Sequence, residues 1–518
     1  MNDFPAITGL TLLPLIGGGL LLGLGADHKT LARRLALGVS ALALALAVTL
    51  AVNFNPSSGG LQFVQRLSWV PGLGVDYFVG VDGLGLLMVL LTALVVPLAL
   101  LASGRITERV PLYCALVLLL QAGLFGTFTA QNFFHWFLFW ELSLVPAFFL
   151  IKLWGGPDRG PAATQFFVYT MVGSVAMLLS FLAIFLATGK FNFTDLAELS
   201  QTGQLDASLA AKLNWTSLSP AALKLVIFGG VFLGLAVKVP VMPFHTWLPT
   251  AYAEAPSPVT MLLTGLMSKM GVYGFLRILV PLFAAEMRAV ITPLLWLAVI
   301  TIVASAAAAF AQRDLKRMLA YSSINHLGYC LLGIFVAVKL TGADPKLAVE
   351  KAAVLDGVLL QMFNHGLTAA TLFCFVGLLE QRSGGLRGLN DFGGVRKVAP
   401  VFAGLMGISV FASLGLPGLN GFIGEFLIFK GAFPLVTWAT ALAALGLLIT
   451  AVFLLTLLQR VFQGPLNPKW SAFPDLTTAE RWIVAPAVAL MFLIGVYPQP
   501  VLHLLNATVL QFVTKLMS

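Results

Sequence analysis

Leu235–Met270 reads LAVKVPVMPFHTWLPTAYAEAPSPVTMLLTGLMSKM and sets Lys238, His245 and Lys269 within apolar sequence. An ammonium left in hydrocarbon costs several kcal/mol on any scale, so an intramembrane lysine faces a polar cavity or a counter-charge and marks a functional site. Pro240, Pro243 and Pro249 remove amide donors and clash with the preceding turn, so the helix carrying Lys238 breaks just after it. Irregular backbone at membrane depth is tolerated only inside the protein or against water. The stretch therefore reads as the wall of a polar cavity rather than a lipid-facing span.

The 518 residues are 59% hydrophobic and 10% charged, with a mean hydropathy of +0.95, whereas soluble domains carry roughly 25% charged residues. This is the composition of a polytopic membrane protein. Its net charge of +9 belongs to loops, and no basic stripe or stacking platform for nucleic acid is present. Cys114, Cys330 and Cys374 lie far apart in apolar segments. They form neither a metal-ligand spacing nor a disulfide framework. The first apolar run lacks a basic leader and a cleavage site, so it reads as a retained span.

At roughly 20 apolar residues per crossing, about fourteen helices are expected, at 8–25, 32–53, 83–103, 110–129, 133–153, 164–187, 222–240, 258–280, 290–310, 318–339, 350–380, 400–434 with a break, 438–463 and 482–506. Alternate loops gather Lys29, Arg33 and Arg34; Arg105 and Arg109; Lys152 and Arg159; Arg313, Lys316 and Arg317; Arg382, Arg387, Arg396 and Lys397; and Arg460, Lys469 and Arg481. Basic loops stay in the cytoplasm, which places both termini on the other side. A second interruption, GLPGLNGFIGE around Pro417, lies five helices after the first, with Glu425 just beyond it. Paired interrupted spans point to two repeats with sites at mid-depth. An odd separation makes them inverted. The expected fold class is thus an all-α polytopic membrane protein with two inverted five-helix repeats and two broken helices. Residues 1–109 are a three-helix addition, 110–280 the first repeat, 281–464 the second, and 465–518 the last helix. The long loops at 54–82 and 188–221 are candidate docking or sealing elements.

Glu141 lies about 12 Å into its span, and Lys269, His326 and His365 lie about 15–21 Å into theirs, at 1.5 Å per residue. Glu, Lys and His at one depth supply what a lateral proton wire needs, groups that both accept and donate. Desolvation favours the neutral form of a lysine and a nearby carboxylate restores the charged one, so Glu141 and Lys238 form a tunable pair. Ser322 stands four residues before His326, and Gln361 four before His365, where each can hold water or fix a tautomer. Plainer roles compete. Glu141, Lys238 and Lys269 can be structural anchors, His326 and His365 neutral core histidines, His245 a cap on the broken helix, and Glu254 a loop residue. Lys430 reads as snorkelling to the interface, and His28, His135 and His503 as interfacial.

The strings FWELSLVP, KVPVMPFHTWLPTAYAEAPSPVTMLLTGLMSKMGVYG, RDLKRMLAYSSINHLGY, NHG and LPGLNGFIGEF resemble the antiporter-like subunits of respiratory complex I over most of 110–430. Glu425, where the N- and L-type chains of that family have Lys, and an end soon after the last span without a long lateral helix are similar to its M type. The resemblance implies a proton-translocating subunit that couples quinone reduction elsewhere to pumping. Glu141 and Lys238 would be its switching pair, Lys269 the central relay, His326 and His365 intermediates, and Glu425 the terminal exchange site. It also implies no cofactor in this chain, with flavin, iron–sulfur clusters and quinone in partner subunits. N-type and L-type chains would be the neighbours, in a bacterial inner membrane or a thylakoid-type one. A cation/proton antiporter subunit, or one of a ferredoxin-driven or hydrogenase complex, is the alternative.

Overall fold

The computed structural model describes residues 5–213, 218–339 and 344–517. Among these, twelve helices are long and apolar enough to cross a membrane, and the shorter apolar helices Ala6–Leu22 and Pro400–Ser413 bring the crossings to fourteen. The all-α polytopic reading holds, and most span limits fall within a few residues of those expected. Two features depart from it.

The segment expected as a loop at 54–82 forms an antiparallel hairpin, β1 (Gln62–Val70) and β2 (Val75–Val81), in register at Leu67 and Tyr77. Pro71–Leu73 and the left-handed Gly74 turn it. Tyr77 stacks on His135 with ring centroids 4.9 Å apart, so His135 is buried at 3% exposure rather than interfacial. The second departure is the last span, which is Thr478–Val496 and not 482–506. The residue before a proline is pushed out of helical geometry, and Tyr497, ahead of Pro498, ends that span. A separate 19-residue helix, Gln499–Met517, follows. Its Thr508 hydroxyl accepts from the Gly83 amide at 2.9 Å, and its Leu516 carbonyl accepts from Arg288. It lies along the same face as the hairpin. The helices Phe193–Gln201 and Gln204–Lys212 occupy the other long loop on that face.

Both interrupted spans are broken where proline and glycine required. The first consists of Pro220–Lys238 and Trp247–Glu254, the second of Pro400–Ser413 and Asn420–Leu435. Each break is closed by an amide that reaches back five residues: Val241 to the Ala236 carbonyl at 2.9 Å and Leu416 to Phe411 at 3.0 Å. This is the longer bond of a helix-terminating turn. In the second break the preceding residue is Gly415 at φ +75, a conformation that needs no Cβ. The Trp247 indole also donates to the freed Val237 carbonyl at 3.0 Å. The two spans run in opposite directions. Lys224 of the first begins on the hairpin face beside Asp206 and Glu286, whereas the second begins on the opposite face, where the Val401 and Phe402 amides donate to Asp475.

That opposite face carries most of the basic loops and is tied by one guanidinium. Arg387 reaches Asp314 at 2.5 Å, Glu254 at 3.5 Å and Glu380 at 3.7 Å, and donates to the Ala253 carbonyl at 2.6 Å. Glu254 is therefore a buried latch, which also accepts from the Asp158 amide at 3.0 Å. Lys430 does not simply snorkel; it pairs with Glu350 at 2.6 Å. Arg387, Asp314 and Glu380 are 22–26% exposed and only Glu254 is buried, so loss of the guanidinium costs about 1–2 kcal/mol, less than for a fully buried pair. Arg387→Ala is expected to lower the thermal midpoint and the yield of purified protein. Arg387→Lys should restore only part of the loss, because an ammonium cannot fork among three carboxylates. Differential scanning fluorimetry in mild detergent checks both.

Candidate functional site

The helix Pro345–Arg382 forms the axis of the site, and its small residues decide what can approach it. A Cβ on Gly366 would meet the Gly265 carbonyl at 2.7 Å, and one on Gly357 the Ile428 amide at 2.6 Å. Small residues at such crossings let backbones touch. The first contact draws in the span Ser257–Ala289 with Lys269, and the second draws in Asn420–Leu435 with Glu425.

Two π-helical turns, Leu263–Met267 and Phe275–Leu279, flank the segment carrying Lys269. Such turns leave carbonyls off the regular ladder and cluster at functional sites. The fully buried Lys269 ammonium donates to the Thr264 carbonyl at 2.6 Å and lies 2.8 Å from His365 Nδ1. A charged lysine only donates, so with Lys269 charged that contact requires the His365 proton on Nε2. The ring of His365 lies 5.1 Å from that of His326. His326 Nδ1 is 3.1 Å from Glu425 Oε1, and its Nε2 faces the Ser413 hydroxyl at 3.3 Å. Lys269, His365, His326 and Glu425 thus stand in succession, all within 6% exposure, with a direct polar contact at each end and ring proximity alone between the two histidines.

The neighbours expected along each helix are not the ones used. Gln361 turns away from His365 and donates to Glu425 Oε1 at 3.2 Å, with His326 Nδ1 3.4 Å away. Ser322 makes no hydrogen bond to His326; Ser413 takes that place. Sequence reasoning also missed the clasp beside His365, in which the Asn364 amide donates to the Asn420 carbonyl at 2.7 Å and Asn420 donates back at 3.3 Å. The signal was present as an asparagine in each of NHG and LNG.

The Glu141 side is built differently. Glu141 lies at helical spacing from Phe134, Leu138, Val145 and Phe149, which are at least 40% exposed, but Glu141 is itself only partly exposed and its Oε1 is buried. Lys238 is buried at 2%, with its ammonium 4.9 Å from the centre of the Trp140 ring. The Trp140 indole is held by the Ser174 hydroxyl at 3.0 Å. Glu141 Oε1 and Lys238 Nζ both lack a hydrogen-bond partner among the described residues, so the two are not joined in an ion pair. His245 sits in the first break, its Nδ1 unpartnered and its ring 6.2 Å from that of Tyr321. It touches neither group.

Gln361→Leu removes the amide between His326 and Glu425. A lost hydrogen bond to a charged group costs about 1.5–3 kcal/mol, and a lower thermal midpoint is the expected result. Gln361→Glu should fare worse, because it sets a second carboxylate against Glu425.

Residues 130–451 match the family model described as NADH:quinone oxidoreductase/Mrp antiporter, TM. The NADH-quinone oxidoreductase subunit M of Rhodobacter capsulatus is 34% identical over 97% of this chain and 95% of its own length. The NAD(P)H-quinone oxidoreductase chain 4 1 of Synechococcus elongatus is 37% identical over 96% and 89%. Among solved structures, respiratory complex I from Thermus thermophilus matches with a TM-score of 0.83 at 30% identity, covering 99% of this chain and all of that one. The Mrp complex from Dietzia shares the fold at a TM-score of 0.81 and 21% identity, covering 99% of each chain. With its matched core and near-complete coverage by M-type relatives, the chain belongs to the NADH:quinone oxidoreductase/Mrp antiporter transmembrane family, in its subunit M group.

Proposed function

We propose that this chain is a proton-translocating membrane-arm subunit of respiratory complex I, in which quinone reduction elsewhere drives protons along Glu141, Lys238, Lys269, His365, His326 and Glu425. The observation that carries the reading is the succession from Lys269 Nζ to His365 at 2.8 Å and from His326 to Glu425 at 3.1 Å. A proton given by Lys269 to His365 Nδ1 releases one from Nε2, which His326 takes up at its own Nε2 through a bridging water or the Ser413 hydroxyl, since the two rings stand 5.1 Å apart. His326 then hands its Nδ1 proton to the carboxylate it faces. Ser413 faces the other nitrogen of that imidazole, and the Gln361 amide holds the receiving carboxylate.

Coupling is electrostatic. Glu141 stands beside an exposed apolar stripe that a neighbouring N-type or L-type chain would cover, altering the charge of Glu141. An ionised Glu141 draws the proton onto Lys238, and a neutral one frees it to move inward. Water supplies the links between Glu141, Lys238 and Lys269, since both end groups of the pair have open hydrogen-bonding positions. Flavin, iron–sulfur clusters and quinone would belong to partner subunits, with none in this chain. The five-helix repeats of 110–280 and 281–464 would each contribute one broken span. The membrane would be a bacterial inner membrane, with the hairpin face and both termini away from the cytoplasm.

Purification from native membranes should bring down flavin and iron–sulfur chains with NADH-dependent quinone reduction. Glu141→Gln and Lys238→Ala should then lower pumping-coupled turnover by at least about tenfold, less than a positioned proton-transfer group supplies in many enzymes. Both variants should assemble normally. Normal pumping in both, measured as dye quenching in inverted vesicles, defeats the relay. Recovery of small membrane chains alone favours a cation/proton antiporter.

A further inference from the structure

Beyond Lys269 the same helix carries further polar side chains toward the hairpin face. Tyr273 is about one turn farther on, and Arg277, within the second π-helical turn, reaches back to it. Tyr273 is fully buried. Its hydroxyl accepts from Arg277 Nε at 3.2 Å and donates to the Phe128 carbonyl at 3.1 Å. Arg277 Nη2 pairs with Asp82 at 2.6 Å, with side-chain exposures of 10% and 6%. Asp82 is itself locked, since it caps the helix Gly83–Ala102 by accepting from the Gly85 amide at 3.0 Å.

Directly behind this pair lies a cavity of about 240 Å³, walled by Asp82, Arg277, Gln131, Thr194 and Gln511 among others. One water needs roughly 10–15 Å³ of such space, so the cavity holds several. A neighbouring cavity of about 450 Å³ shares Pro281 and Phe512 with it and adds Lys224, Asp206 and Arg288. The first cavity thus ends about two helical turns from Lys269, with the Arg277–Asp82 pair in its wall and Tyr273 hydrogen-bonded to the guanidinium.

We propose that Arg277, held by Asp82, is an electrostatic barrier that seals Lys269 from the hairpin-face cavity and so directs its proton sideways to His365. The inference rests on reading Lys269 as a proton carrier. A guanidinium stays charged throughout the accessible pH range, so it neither accepts nor releases the proton, and its field repels one in the adjoining water. Asp82 neutralises enough of the charge to allow burial and fixes the guanidinium in the wall of the cavity. Tyr273 is the last group on the Lys269 side able to pass a proton.

The test uses the complex isolated with its natural partners and placed in liposomes loaded with a pH-sensitive dye. A pH step is imposed with neither electron donor nor quinone present, and passive proton entry is timed. The variant is Asp82→Asn with Arg277→Gln, a neutral pair that leaves no buried charge alone and keeps a residue able to cap at 82. Proton entry is expected to quicken about tenfold. Adding Lys269→Ala should return it to the unmodified rate, and Arg277→Lys alone, which keeps a cation in place, should stay tight. A neutral pair as tight as the unmodified protein overturns the proposal. So does a leak that persists when Lys269 is gone, because that would be a packing defect. The leak is read without turnover. Failure of the Glu141 and Lys238 variants to disturb pumping would therefore defeat the coupling scheme and leave this measurement intact.

Discussion

A polar group in hydrocarbon must find a partner in the protein or meet water, and the architecture of this chain follows from where that demand is placed. Two spans are broken at mid-depth by proline and glycine. The freed backbone is taken up by reach-back amides, by the Trp247 indole and by the Asn364–Asn420 clasp. Helices that supply such partners cannot face lipid. That is why the spans Leu315–Val338 and Pro345–Arg382, which carry both relay histidines, run through the middle of the molecule. Spans with few polar groups to satisfy, such as Thr437–Phe462, whose Thr450 donates to Asn325, lie nearer the rim.

The two ends of the candidate relay meet the demand in opposite ways. From Lys269 to Glu425 the side chains satisfy one another, and glycines at 265, 357 and 366 bring their helices close enough to do so. From Glu141 to Lys238 they do not: the buried carboxylate oxygen Oε1 has no hydrogen-bond partner among the described residues, and the ammonium rests over an indole. The first arrangement holds its geometry without help. The second depends on water and on whatever lies against the rim, which makes it the responsive end.

The sequence showed the breaks and the class of fold, because proline, glycine and an isolated charge act locally and leave their mark where they stand. The partners were less legible. Ser322 and Gln361 were placed by spacing along one helix, yet the contacts that form run between helices. Ser413 was invisible for the same reason. The hairpin was missed although Pro71 and Gly74 bracket a turn, since Gln62–Val70 shows only a partial alternation of polar and apolar residues. The last span was drawn ten residues too far, despite Pro498. Asp82 and Arg277 lie 195 positions apart, and neither stands out until the fold joins them.

The reach-back amides of Val241 and Leu416 bear on what can move. A helix whose end is tied by its own backbone does not need solvent to remain open, and loss of that solvent does not let the two halves zip together. Both interruptions are therefore permanent joints in a stiff frame. Any change of state must be carried by lighter parts: a lysine swinging off an indole, a file of water forming or emptying, an imidazole gaining charge. Such changes need no helix to travel, and a long row of similar subunits could pass them from one to the next while the frame stays at rest.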